Sequence, residues 1–163
     1  MTRKLPVASS LALVLLVSPV LAQDGVAGVP FSLNSSVAEV KRALGLSNAP
    51  QPMPDHPPLS VGDSFLRERN AGIWAFFHQD GRVYLIRLDP PFAGSVGGIR
   101  LGEPRSALLE KLGAPKRKVK SPDQPLEAYL YDMPGFGARF DFDRAENINR
   151  MMVFPASGIA QAR

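Results

Sequence analysis

Apolar positions over residues 36–45 recur with helical spacing: Val37, Val40 and Leu44 fall at i, i+3 and i+7 and give one apolar face. Ser36 and Glu39 have the spacing of a capping box, in which each side chain satisfies a free backbone N–H, and Gly45 suits the left-handed position that ends a helix. A second helix follows the same plan. Pro104 sits in its first turn, Leu108, Leu109 and Leu112 form its apolar face, and Gly113 stops it. Helices of about ten residues do not persist alone, so each must pack on something. Elsewhere the period shortens to that of strands. Ser64–Arg69, Ile73–His78 and Val83–Leu88 are rich in β-branched and aromatic residues, with Gln79-Asp80-Gly81 as a turn. Leu126–Asp132, Ala138–Phe142 and Ile148–Phe154 are their counterparts further along. Ala138, Phe140 and Phe142 alternate with Arg139, Asp141 and Asp143, which predicts a sheet buried on one side and wet on the other.

These elements come in two sets. Phe31-Ser32-Leu33 through Leu44-Gly45 reads like Ile99-Arg100-Leu101 through Leu112-Gly113, at a constant shift of 68 positions. The expected organisation is a first repeat over 23–92, with a Pro-rich exposed loop over 48–58, then a second repeat over 93–154 and a tail over 155–163. The fold class expected from this order is α+β. Two tandem copies of a short-helix and antiparallel-strand unit would have their helices packed on one face of one or two sheets.

Residues 1–22 have the three parts of a secretory signal: Arg3 and Lys4, the apolar Leu11–Val17, and small residues at Val20-Leu21-Ala22. Cleavage after Ala22 would release a periplasmic or secreted chain beginning at Gln23. The absence of Cys leaves no thiol for a lipid anchor and no disulfides, so stability rests on one hydrophobic core. The formal net charge of +4 falls to +2 once Arg3 and Lys4 are removed, and both signs are mixed along the remainder. Nucleic acid is therefore not an expected partner.

No reaction centre is expected. Gly62-Asp63-Ser64-Phe65-Leu66 resembles the nucleophile block of GDSL-type hydrolases, yet no His follows His78 to supply the base that family places near its C-terminus. His56 and His78 lack the spacing of a zinc site, and Asp141, Asp143 and Glu146 lack a calcium loop. Gly135-Phe136-Gly137 is a loop pair without a following helix, unlike a dinucleotide fingerprint. The chain reads as non-enzymatic, with no metal and no cofactor.

Candidate contact residues come from aromatic and basic positions. Trp74 and Phe76 share one strand phase and Phe77 takes the other, so one set looks outward. Tyr129 and Tyr131 lie opposite in phase to Leu130 and sit together either on the wet face or in the core. With Phe136, Trp74 and these tyrosines form the candidate partner-binding set, since exposed aromatic residues anchor interfaces. Lys116, Arg117, Lys118 and Lys120 form a basic loop after the second helix, suited to an acidic protein patch or to weak contact with anionic lipid.

Gly98-Ile99-Arg100-Leu101-Gly102 leading to Leu112-Gly113-Ala114-Pro115 resembles the opening of small bacterial envelope modules. These include the SmpA/OmlA-type outer-membrane-assembly lipoproteins and the tandem units of β-lactamase-inhibitor-protein-like folds, whose joined sheets make a concave binding face. The resemblance implies a fold and no site. The lipoproteins begin at a Cys and the secreted inhibitors use disulfides, and this chain has neither. Together these features lead to an expected exported protein-binding module, an inhibitor or immunity protein against an envelope enzyme or toxin. The alternative is an envelope assembly or cell-wall scaffold. The patterns do not specify the oligomeric state.

Overall fold

Ten strands and two helices form among residues 25–53, 63–120 and 125–156, the residues that the computed structural model describes. The signal-like segment, Asp55, His56 and the end of the tail lie outside them. In chain order the elements are β1 (Val26–Ala27), α1 (Val37–Leu44), β2 (Gln51–Pro52), β3 (Ser64–Glu68), β4 (Ile73–Phe77), β5 (Val83–Leu88), β6 (Ser95–Val96), α2 (Arg105–Leu112), β7 (Arg117–Val119), β8 (Ala128–Met133), β9 (Phe136–Phe142) and β10 (Ile148–Pro155). The six strands expected from the alternation all form. Four shorter ones join them, including β2 inside the Pro-rich stretch expected to be a loop. No helix among the described residues is long and apolar enough to cross a membrane.

Eight strands make one antiparallel sheet in the order β2-β3-β4-β5-β10-β9-β8-β7, and β1 pairs with β6 separately. The element order of 26–88 recurs over 95–155, and the sheet order reads symmetrically about the β5–β10 pair. Local hydrogen bonds repeat as well. Asn34 N–H donates to the Val83 carbonyl and Val83 N–H to that of Ser35, while Gly102 and Ile148 make the same exchange with Ile148 and Glu103. The turn that makes this exchange requires a left-handed residue, and Asn34 (φ 69°) and Gly102 (φ 84°) supply it.

The helix ends follow the sequence closely. Ser36 and Glu39 close a reciprocal capping box, with Ser36 N–H 2.7 Å from Glu39 Oε2, and Gly45 ends α1 at φ 65°. These bonds hold the Glu39 carboxyl below its usual range. Pro104 stands one position ahead of α2, as its extended N-cap.

The α+β expectation is corrected here: the fold is mostly antiparallel β, built on the large sheet, and the helices do not form a layer over it. The reason is their size. Each is eight residues long, and each contributes one fully buried side chain, Val40 or Leu108. Leu109, expected on the apolar face of α2, is an exposed large hydrophobic residue. Coil residues share the covering role, since Val29, Phe31, Phe92 and Ile99 join the core cluster with Ile73, Ala75, Phe77, Ile86, Phe140 and Val153 of the sheet.

Candidate functional site

Strand pleating places Ile73, Ala75, Phe77, Ile86, Leu88, Ala138, Phe140, Phe142, Met151 and Val153 on the inner face, in the core. The residues between them face the other way, and cross-strand register lines them up. One row runs Arg67, Trp74, Arg87, Met152, Arg139, Leu130, Arg117 across β3, β4, β5, β10, β9, β8 and β7. An arginine therefore stands on every second strand, about 10 Å from the next by strand spacing, with an apolar residue between each pair.

Two apolar groups interleave with the charges. Trp74 packs against Phe65 at 5.4 Å and stacks on Phe76 at 6.1 Å between ring centroids. The guanidinium of Arg67 lies 4.1 Å from the indole centroid and that of Arg87 lies 5.0 Å from it. Leu130 and Phe154 form a second cluster with Leu85, Val119 and Met152, and the Phe154 ring lies over Gly137, where any Cβ would meet it at 2.3 Å. The Trp74 Nε1–H is shielded from water and has no acceptor among the described residues, a state that costs about 1–3 kcal/mol.

Carboxylates balance part of this charge. Asp89 accepts from Arg87 Nε at 2.9 Å and from Arg150 Nε at 3.3 Å, joining the two halves across the β5–β10 seam. Asp141 is fully buried and accepts from Arg139 Nη2 at 2.5 Å, with Arg150 opposite it in register. The side chains of Arg139 and Arg150 are only 16% and 13% exposed. The middle of the face expected to be wet is therefore a half-buried ionic network. Among the described residues, Arg67, Arg69, Arg87, Arg117, Arg139 and Arg150 share this face with Asp89, Asp141 and an Asp132 paired to Lys116, so positive groups outnumber negative ones.

Trp74 belongs to this face; the other aromatic candidates do not, which corrects the expected set. Tyr129, Tyr131 and Phe136 are buried, at 6%, 5% and 1% exposure. Tyr129 meets Phe142 edge-on, Tyr131 meets Phe140 likewise, and the Tyr131 hydroxyl donates to the Gly113 carbonyl at 3.0 Å, beyond α2. Their partner in alternation, Leu130, points to the outer face and is itself fully buried there. The basic segment is also corrected from a loop to an edge strand. Arg117 and Lys118 lie in β7, Lys116 forms an ion pair with Asp132, Lys118 sits 5.1 Å over the Tyr129 ring, and Lys120 is exposed just past the strand. Lysines on an edge strand oppose pairing with a further chain. The acidic residues noted near the β9–β10 turn disperse: Asp143 accepts from the N–H groups of Ala145 and Asn147, and Glu146 pairs with Arg105.

A smaller cluster lies near the end of β4. Asp63 is buried with Oδ1 3.6 Å from His78 Nδ1, and the His78 ring stacks on Tyr84 at 4.0 Å. A register shift between Phe76 and Phe77 brings Tyr84 there. Burial first, and then the negative charge of Asp63, push the Tyr84 hydroxyl far above the ordinary tyrosine range; burial, then Tyr129, push Tyr131 upward too. The folded state thus holds these protons more tightly than the unfolded chain. Stability from this source is present below about pH 10, where free tyrosine ionises, and falls as pH rises above it. Urea unfolding followed from pH 8 to 11 (roughly the span over which free tyrosine ionises) should show that decline, and Tyr84→Phe should flatten it.

No protein-family model matches the chain, and no curated protein does. Solved structures similar to it include a DUF4309 family protein from Bacillus subtilis, at 16% identity over 74% of this chain and 78% of that one, with a TM-score of 0.48. Another is a cysteine-rich secretory protein from Staphylococcus aureus, at 10% identity over 82% of this chain, with a TM-score of 0.57. This chain spans 46% of the latter's length, and the likeness concerns the fold alone. Neither bears the name of an outer-membrane-assembly lipoprotein or a β-lactamase inhibitor protein.

Proposed function

We propose that the chain is an exported, non-enzymatic binding protein that recognises another protein through the outer face of its sheet, against a partner surface rich in carboxylates. The observation that supports this reading is the cross-strand row of arginines alternating with Trp74, Met152 and Leu130. Arginine and tryptophan are favoured anchors at interfaces. An arginine held on an apolar floor also forms stronger pairs with a partner's carboxylates than one extended into water. A rigid antiparallel sheet presents such a row with little ordering cost on binding. An inhibitor or immunity protein fits this reading, because occluding an enzyme or toxin needs only a stable complementary surface. The scaffold alternative rests on the basic segment, of which Lys116 and Lys118 are engaged with Asp132 and Tyr129.

Met152→Glu tests the proposal, because it sets a carboxylate between Arg87 and Arg139 without removing any existing pair. Mature protein from Gln23, used as bait in an envelope extract, should retain a specific protein in wild-type form. The variant should lose it by about tenfold or more while still unfolding in one cooperative transition, and added salt should weaken capture. Equal capture by both forms would refute the surface.

A further inference from the structure

A cleft of about 210 Å³ opens where β2 meets the outer face, lined by Asn48, Gln51, Phe65, Arg67, Arg69 and Trp74. Its composition is one-sided. Two guanidinium groups supply fixed positive charge, and no carboxylate lines it among the described residues. Phe65 and the indole make an apolar floor. The indole N–H of Trp74, which lines the cleft, is shielded from water and has no acceptor among the described residues. An entering oxyanion would supply that acceptor once the exposed Arg67 side chain moves from the ring it now covers.

The amides of Asn48 and Gln51 narrow the choice of anion. They offer carbonyls as well as donors, which a phosphate would leave facing negative charge and a peptide N–H would satisfy. The sheet edge adds a second restriction. β2 pairs with β3 at Phe65 and Ser64, and Asn48 also lines the cleft, so the segment leading into β2 walls it on that side and an occupant enters from the outer face.

We infer that this cleft anchors a carboxylate side chain of the partner protein, an inference that rests on the outer face being a protein-binding surface. Trp74 is the only tryptophan in the chain and lies at the cleft, so its emission reports occupancy directly. The full chain would be titrated with a blocked pentapeptide alternating valine and glutamate, with its glutamine counterpart, and with inorganic phosphate. A saturable change in emission is expected with the glutamate peptide alone, weakened about tenfold in Arg69→Gln, whose exposed side chain leaves the unfolding midpoint unchanged. No saturable change would overturn the assignment, as would an equal response to the glutamine peptide or to phosphate. Arg67→Gln is a second variant that should weaken the response in the same direction. The two proposals fail separately. Partner capture lost in Met152→Glu but untouched in Arg69→Gln would sink the cleft and leave the face. Capture indifferent to Met152→Glu would sink the face, while the Trp74 titration alone judges carboxylate recognition.

Discussion

Asp141→Ala should lower the unfolding free energy by about 3–5 kcal/mol, a large part of the roughly 5–15 kcal/mol that holds an ordinary domain together. The carboxylate is fully buried and bonded to Arg139 through both Nε, at 3.0 Å, and Nη2. Removing it leaves Arg139 with little access to water and no replacement anion. Arg150, opposite in register, then depends on Asp89 alone for the carboxylate partner seen across the seam. Breaking one member of such a pair costs more than replacing both. Arg139→Met combined with Asp141→Leu should therefore recover most of the loss, because an apolar pair fits a face already floored by Leu130 and Met152. Urea unfolding of Arg139→Met, Asp141→Leu and the double variant measures the coupling. Additive losses would mean that the pair contributes no interaction energy.

Val153→Pro should do comparable damage for a different reason. Val153 lies in β10, which is bonded to β5 on one side and to β9 on the other. Its N–H points at a neighbour whichever way it faces, so proline removes a ladder bond and leaves a buried carbonyl unpaired, at about 1–3 kcal/mol, with the strain of the ring added. The chain provides its own contrast in Pro52, tolerated in the edge strand β2. The effect should reach the first half of the molecule, because β10 is the strand that closes β5. Trp74 emission, which reports β4, should lose its midpoint together with far-ultraviolet circular dichroism. A Trp74 transition that stays at the wild-type midpoint would show that the halves fold independently.

Much of the fold was legible in local pattern. The capping residues Ser36 and Glu39, the stop at Gly45, and six strands to within two residues of their observed ends follow from periodicity and turn chemistry alone. The failures have physical causes. β1, β2, β6 and β7 are two or three residues long, too short for alternation to register, and β2 contains a proline. The helices drew attention through their caps, yet a two-turn helix covers too little surface to set the fold class. Phase identified Tyr129 and Tyr131 as sharing a face and could not say which one, because β8 is buried on both sides, with Leu130 as deep as the tyrosines. The arginine row was beyond reach for a further reason. Arg67, Arg87, Arg117 and Arg139 come from four strands spread over the chain, and only the strand order makes them neighbours. Trp74 stood out as a candidate because one residue type is informative by itself. Its cation partners required the register.

Among the described residues, β10, which joins the two halves of the sheet, follows the nine other strands in chain order. While residues up to the end of β9 exist without β10, both β5 and β9 present open edges, and each of those edges is apolar on its inner face. The nascent chain therefore cannot complete its sheet until Ile148–Pro155 has emerged. A chain cut before Ile148 would keep two sticky edges, whereas one that includes β10 closes both with a single strand. Closure of the sheet thus hangs on one segment: only a copy that carries Ile148–Pro155 hides the edges that chaperones and proteases recognise.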